Sequence, residues 1–198
     1  MKAIKLITKI ILAATLAVAA AACGQRKASK EAAQEPAPQP TTTADLCLAA
    51  VNKYLAEQIG SNYPDAQYCI TYSNYTDIDE SNPSDIQILG DFWVEKYNLQ
   101  ADTLMFTAGG DHPGKMHLSK DAQGGYQVTA FDQVGDGSTF LPTAKAIFGP
   151  KFDAFSQALS NDSLKQETRR KAVGKYVKAN NIAAKFYKDD GWPAISID

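Results

Sequence analysis

The sequence predicts an α+β domain: an N-terminal helix packed on a curved antiparallel sheet of four to five strands, followed by C-terminal helices. Three observations carry this prediction. An apolar stripe of helical period runs over residues 45–59. A train of strand-like segments broken by short turn-forming stretches then fills residues 66–134. After Gly137 the helical period returns.

In the first stretch Leu46, Ala50 and Tyr54 recur at four-residue steps, with Cys47, Val51 and Leu55 as a neighbouring row, and Gly60 marks the end. Strand composition follows at 66–77 (Tyr68, Ile70, Tyr72), 85–98 (Ile86, Ile88, Phe92, Val94), 103–108, 115–119 and 125–134. The breaks are Asn82-Pro83, Gly109-Gly110, Pro113-Gly114 and Gly124-Gly125. Parallel neighbours need a crossover of a dozen residues or more, so such short breaks predict antiparallel pairing. Helices are expected at 141–148, 151–159 and 163–179, the last opening on Ser163 and Gln166 in capping-box spacing. Thr168, Ala172, Tyr176 and Ala179 are read as its inner side. The tail carries Phe186, Tyr187, Trp192 and Ile195, enough apolar surface to dock back onto the sheet.

Ahead of this domain, residues 1–22 have the parts of a secretory signal: Lys2, Lys5 and Lys9, an apolar run from Ile10 to Ala22, and small residues before the cut. Thirteen residues in a helix reach roughly 20 Å, short of a bilayer's apolar core of about 30 Å, so the run is too short to span. Ala20-Ala21-Ala22-Cys23-Gly24 resembles the lipobox of bacterial envelope lipoproteins, with Ala20 where leucine is usual. The resemblance implies that Cys23 is acylated, palmitate included, and becomes the first residue of a chain anchored in the lipid bilayer. The same residues also suit an ordinary Ala-x-Ala cut that leaves Cys23 a thiol. Residues 24–44 hold Pro36, Pro38 and Pro40 and no aromatic or bulky aliphatic residue, which reads as a tether. The expected organisation is therefore signal 1–22, lipidated Cys23 and tether 23–44, and one domain 45–198.

Charge narrows the partners. The expected domain has 14 Lys+Arg against 20 Asp+Glu. Affinity for nucleic acid rests on neutralising phosphates, so an acidic domain argues against it. The open partner classes are an envelope protein or a glycan. With Cys23 lipidated, Cys47 and Cys69 remain as an even pair in an oxidising compartment, which predicts a disulfide; two unrelated buried thiols are the alternative.

Chemistry is sparse. The chain has no Gly-x-Gly-x-x-Gly, Walker loop, Cys-x-x-Cys, His-Glu-x-x-His or Gly-x-Ser-x-Gly, and no cofactor is expected. Both histidines lie in Asp111-His112-Pro113-Gly114-Lys115-Met116-His117. Imidazoles beside a carboxylate are ligand types zinc prefers, yet a turn at Pro113-Gly114 gives them no common direction and no third ligand stands at a recognised spacing. A polar hairpin without metal is the expectation. Asp91, Trp93, Glu95 and Tyr97 alternate on one face of a strand, opposite Phe92 and Val94. An acid among aromatics is what a pocket with a raised-pKa general acid contains, and also what a half-buried strand looks like. Tyr63, Tyr68, Tyr72 and Tyr75 suit recognition of sugars, peptides or proteins, or plain strand propensity.

The order of one helix followed by a meander over 45–135 resembles the cystatin-like roll, the group that includes nuclear-transport-factor-2-like domains. The C-terminal helices depart from it, and in that group the ligand pocket lies where they would sit. The whole mature domain is also similar to envelope lipoproteins of gut anaerobes, a resemblance that implies an address and no activity. Two functions follow as expectations. The first is a membrane-tethered, non-enzymatic binding or assembly module of the cell envelope, with Trp93 and Tyr97 as ligand contacts. The other is a small enzyme or ligand pocket of the nuclear-transport-factor-2-like type, in which His112, His117 and Asp91 would be the catalytic candidates.

Overall fold

A computed structural model describes residues 42–197. The expectations for the signal, for Cys23 and for the tether through residue 41 lie outside the described residues. Helix α1 (Thr43–Tyr54) opens on a capping box in which Thr42 Oγ1 accepts from the Asp45 amide and Asp45 accepts from the Thr42 amide. It runs on through a π turn (Leu55–Ile59) and a 3-10 turn (Gly60–Asn62). Four strands follow: β1 (Tyr68–Asp79), β2 (Ile86–Gln100), β3 (Thr103–Lys120) and β4 (Tyr126–Gln133). Next come α2 (Phe140–Phe148), α3 (Phe152–Leu159) and α4 (Asp162–Ala179), then β5 (Phe186–Lys188) and β6 (Ile195–Ser196).

The α+β class therefore holds, with a curled, mixed sheet of six strands in the order β1-β2-β3-β5-β6. Strands β4 and β5 share the far edge of β3, β4 along 114–120 and β5 along 103–105. The sheet is mixed rather than antiparallel throughout because the tail docks as β5, parallel to β3. That docking buries Tyr187 and leaves Trp192 70% exposed.

One element differs outright. Residues 103–120 form a single 18-residue strand, where the glycines and Pro113 had predicted two strands and a hairpin. These glycines mark close backbone crossings instead of turns. Gly109 has φ +149°, and a Cβ there would stand 2.2 Å from the Val94 carbonyl, beside a bulge opposite Lys96 and Tyr97. A Cβ on Gly114 would stand 2.3 Å from the Asp132 carbonyl. The real β2–β3 turn is at Ala101 (φ 54°) and Asp102. The α4 cap also moves: Asn161 Oδ1 accepts from the Leu164 amide at 3.1 Å, so Asn161 and not Ser163 begins the helix.

Strand β2 is central and covered on both faces. Its even-numbered residues Ile86, Ile88, Phe92 and Val94 join Met116, Leu118 and the α1 row Cys47, Val51 and Leu55 in one core. On the other face Leu89 packs with Val134, Ala144, Phe148 and Phe155 beneath α2 and α3. Further along that face Ile70, Tyr97 and Leu104 meet Val173, Val177, Tyr187 and Ile197. Between those two apolar clusters lies a polar strip.

The cysteine expectation is corrected. Cys47 and Cys69 are both free thiols in the structure. Cys69 Sγ sits against Gly60, 3.2 Å from where a Cβ would be, whereas Cys47 is thirteen residues back along a continuous helical run. At about 1.5 Å per residue that separates the two ends by roughly 20 Å, and a bridge needs Cα atoms within about 7 Å. Consecutive elements do touch, but the helix lies lengthwise on the sheet and puts the two thiols at opposite ends.

Candidate functional site

The polar strip is the stripe Asp91, Trp93, Glu95 and Tyr97 of β2, which the sequence placed together on one face. Asp91 and Glu95 are each 3% exposed and Tyr97 is fully buried. A lone buried carboxylate costs several kcal/mol, so Glu95 must be partnered to be tolerated. Tyr72 Oη donates to its Oε1 at 3.0 Å, while Tyr97 Oη (2.5 Å) and Arg169 Nε (2.9 Å) donate to its Oε2. Arg169, from α4, also forks onto Asp189 beyond β5, at 2.6 and 2.8 Å. Its guanidinium lies over Tyr187 at 5.0 Å and near Phe106 at 5.7 Å.

Burial pushes the Glu95 carboxyl up, against the pull of Arg169 and the two phenols. Burial alone would lower the Arg169 pKa, but the bonds to Asp189 and the neighbouring Tyr97 and Glu95 outweigh it and push it up. Every oxygen of Glu95 is engaged, and so is the guanidinium. This constellation joins three layers, β2, α4 and the tail.

Asp91 differs. Trp93 Nε1 donates to its Oδ2 at 2.7 Å, and Trp93 stacks on Tyr72 with ring centres 5.7 Å apart and planes 4° from parallel. Its Oδ1 has no partner among the described residues, nor have the buried Asn74 Nδ2, Ser73 Oγ and Thr76 Oγ1. Asn74 stands directly across from Asp91, and its Oδ1 accepts from Thr168 of α4 at 2.7 Å. Burial lifts the Asp91 carboxyl to about 6, opposed by the Trp93 bond and Lys165 and aided by Asp111.

The histidines are not brought together. In the unbroken register of β2 with β3, His112 pairs with Phe92 and His117 with Gln87, so five residues of strand turn their rings to opposite faces. His112 lies 2.9 Å from Tyr63 Oη and 3.1 Å from the Gln133 amide, and its burial lowers its pKa. His117 is held between Asp85 at 2.8 Å and Asp132 at 3.3 Å. Asp91 joins neither histidine. Among the described residues no three His, Cys, Asp or Glu side chains group as metal ligands.

One large cavity lies where the sequence did not indicate. It is a groove of about 590 Å³ along the outer edge of β1, walled by α1 on one side and α4 on the other. Its floor is Cys69–Ser73 and Tyr75, and Asn52 of α1 and Tyr176 of α4 line its walls. Neither Asp91, Trp93, Tyr97 nor either histidine lines it. Of the tyrosine cluster, Tyr72 and Tyr75 do, and Tyr75 is 53% exposed. Arg169, the residue that seats α4, was also missed; it falls four residues before the buried Val173, on the inward row of the helix.

No protein-family model, no curated protein and no solved structure matches this chain.

Proposed function

We propose that this protein is a membrane-tethered binding or assembly module of the cell envelope, held to the lipid bilayer through an acylated Cys23 and engaging an envelope protein or glycan through the groove between α1 and α4. The observation that carries the reading is the contrast between interior and edge. Both faces of β2 are filled by packed side chains, while a large concavity lies open along β1, with Tyr75 exposed at its floor, Tyr176 half-buried in its wall and Tyr72 buried beneath. Pockets of a few hundred Å³ with aromatic walls are the usual size for specific ligands. The α1 helix against the meander β1–β4 supports a cystatin-like arrangement, in which α2, α3 and α4 occupy the place of a pocket. The enzyme reading retains Asp91 alone, since the two histidines face apart.

Two measurements test the proposal. Mass spectrometry of the N-terminal peptide is expected to find a chain that begins at an acylated Cys23 and partitions into detergent; an unmodified Cys23, or cleavage elsewhere, refutes the anchor. A photo-crosslinking residue at Ala172, in the groove, is expected to capture an envelope component in intact cells, and one at the exposed Lys145 is not. Equal capture at both positions refutes the groove.

A further inference from the structure

We infer that the groove accepts an extended acidic segment of a partner polypeptide, added to the sheet as a new strand beside β1. The inference rests on the groove being the binding surface and names what fills it.

Strand β1 pairs with β2 on one side only, and among the described residues no strand covers its other edge. An open edge offers a row of N–H and C=O groups, and proteins usually blunt it with charge, a bulge or a cover. The far half of β1 is blunted in this way: the register shifts between Tyr75 and Asp77, and Asp77 is paired to Lys151 at 3.0 Å. The near half, Tyr68 to Ser73, carries no charged side chain and no bulge. Residues Cys69 to Ser73 of this half form most of the groove floor. Six residues of strand give roughly 20 Å of pairing edge. Peptide recognition by strand addition uses such an edge for affinity and flanking walls for specificity.

The walls set the chemistry. The domain has 20 acidic residues against 14 basic ones, yet the groove is lined by three lysines and no carboxylate. Lys53 stands on α1, with Lys171 and Lys175 on α4. Lys53 and Lys175 have no ion-pair partner among the described residues, and Lys171 pairs with Glu167 at 2.7 Å. Helix α4 runs alongside β1 in the opposite direction, with Thr168 bonded to Asn74 and Tyr176 packed on Tyr68. Lys171 and Lys175, four residues apart, are about 6 Å apart along the helix, and alternate residues of a strand are about 6.6 Å apart. Two acidic residues at i and i+2 of the added strand therefore face these two lysines, and the side chains between them face Lys53.

The probe is a labelled peptide, Thr-Glu-Val-Glu-Val-Glu-Val-Thr, titrated into the mature chain and read by fluorescence anisotropy and amide hydrogen exchange. Binding is expected to slow exchange across 68–73. It is expected to weaken about tenfold when Lys171→Glu and Lys175→Glu are combined, as two partly exposed ion pairs would give. Both lysines are exposed, so the fold tolerates the change. A version with lysine for glutamate, and one N-methylated at alternate amides, are expected to lose binding. No protection of 68–73 at millimolar peptide, indifference to the charge reversal, or equal binding of the N-methylated peptide would each overturn the inference. So would peptide-independent protection of 68–73 that rises with protein concentration, because the occupant is then a second copy. If crosslinks from Ala172 persist while the peptide fails, the binding module stands and the strand chemistry falls. If both fail, the groove is not the working surface.

Discussion

Replacing Asp91 by Asn should stabilise the fold at neutral and alkaline pH and change it little under acid. Asp91 is 3% exposed, and its carboxyl is lifted from 3.8 to about 6, first by burial. A carboxyl whose folded pKa lies above its unfolded value keeps a proton that the unfolded chain releases. Its contribution is therefore fully present below about pH 3.8 and lost as pH rises through about 6. That interval corresponds to about 3 kcal/mol of stability missing at pH 8. Asparagine keeps an acceptor for Trp93 Nε1 and carries no charge, so the variant escapes the loss. Urea unfolding at intervals from pH 4 to 8 should give curves that converge near pH 4 and separate to about 2–3 kcal/mol at pH 8. For a chain of this size that is roughly 5–10 °C in melting temperature. Other carboxyls titrate in both proteins, and the difference between the curves removes them. Parallel curves across the whole range would mean that Asp91 is ionised and solvated, and the account of the polar strip would be wrong.

Removing one side of the Arg169–Glu95 pair should cost far more than removing both. Arg169→Met is expected to lose about 3–5 kcal/mol by stranding a buried carboxylate, and Glu95→Met with Arg169→Met is expected to recover much of it; a double variant less stable than the single one would show that the charges themselves hold α4. Thiol labelling of the native protein should proceed at Cys69 well before Cys47, whose burial is complete and whose thiol is pushed up to about 11; Cys47 should react only at the rate of unfolding, and prompt labelling of both would contradict the packing of α1. Micromolar zinc and chelator should leave the same melting temperature, because His112 and His117 face opposite sides of β3; a zinc-dependent rise abolished by changing both histidines to Ala would refute that geometry.

Much of the architecture was legible because it depends on periodicity. The α1 row Cys47, Val51 and Leu55, the strands at Tyr68 and Ile86, and the helices beginning near Phe140, Phe152 and Asp162 all follow from spacing alone. The failure at β3 has a different origin. A glycine in a strand and a glycine in a turn look alike in sequence, and what separates them here is contact with Val94 and Asp132, which belong to other strands. The same holds for the cysteines, whose pairing depends on how far along α1 and β1 each one falls. The stripe from Asp91 to Tyr97 was legible as a stripe, but alternation usually marks a strand with one wet face, so the pattern alone left open whether both faces are covered.

What converts that stripe into interior is Arg169, and the consequence reaches the groove. Arg169 supplies the cation that satisfies Glu95, the helix packs beside Ile70, and Asp189 draws the tail over the same guanidinium. Thr168, one residue away, is tied to Asn74. The two fastenings fix the N-terminal half of α4 against the middle of β1, and Tyr176 on Tyr68 fixes the other half. The wall of the groove is thus set partly by Arg169, which does not line it, and partly by Thr168 and Tyr176, which do. A buried ion pair is weak evidence for net stability, but a fork this directional supports a single placement of the helix. A variant that repacks the pair with apolar side chains should therefore keep its stability while loosening the groove, and slower exchange across 68–73 on adding the acidic peptide should fade in that variant although Lys171 and Lys175 remain.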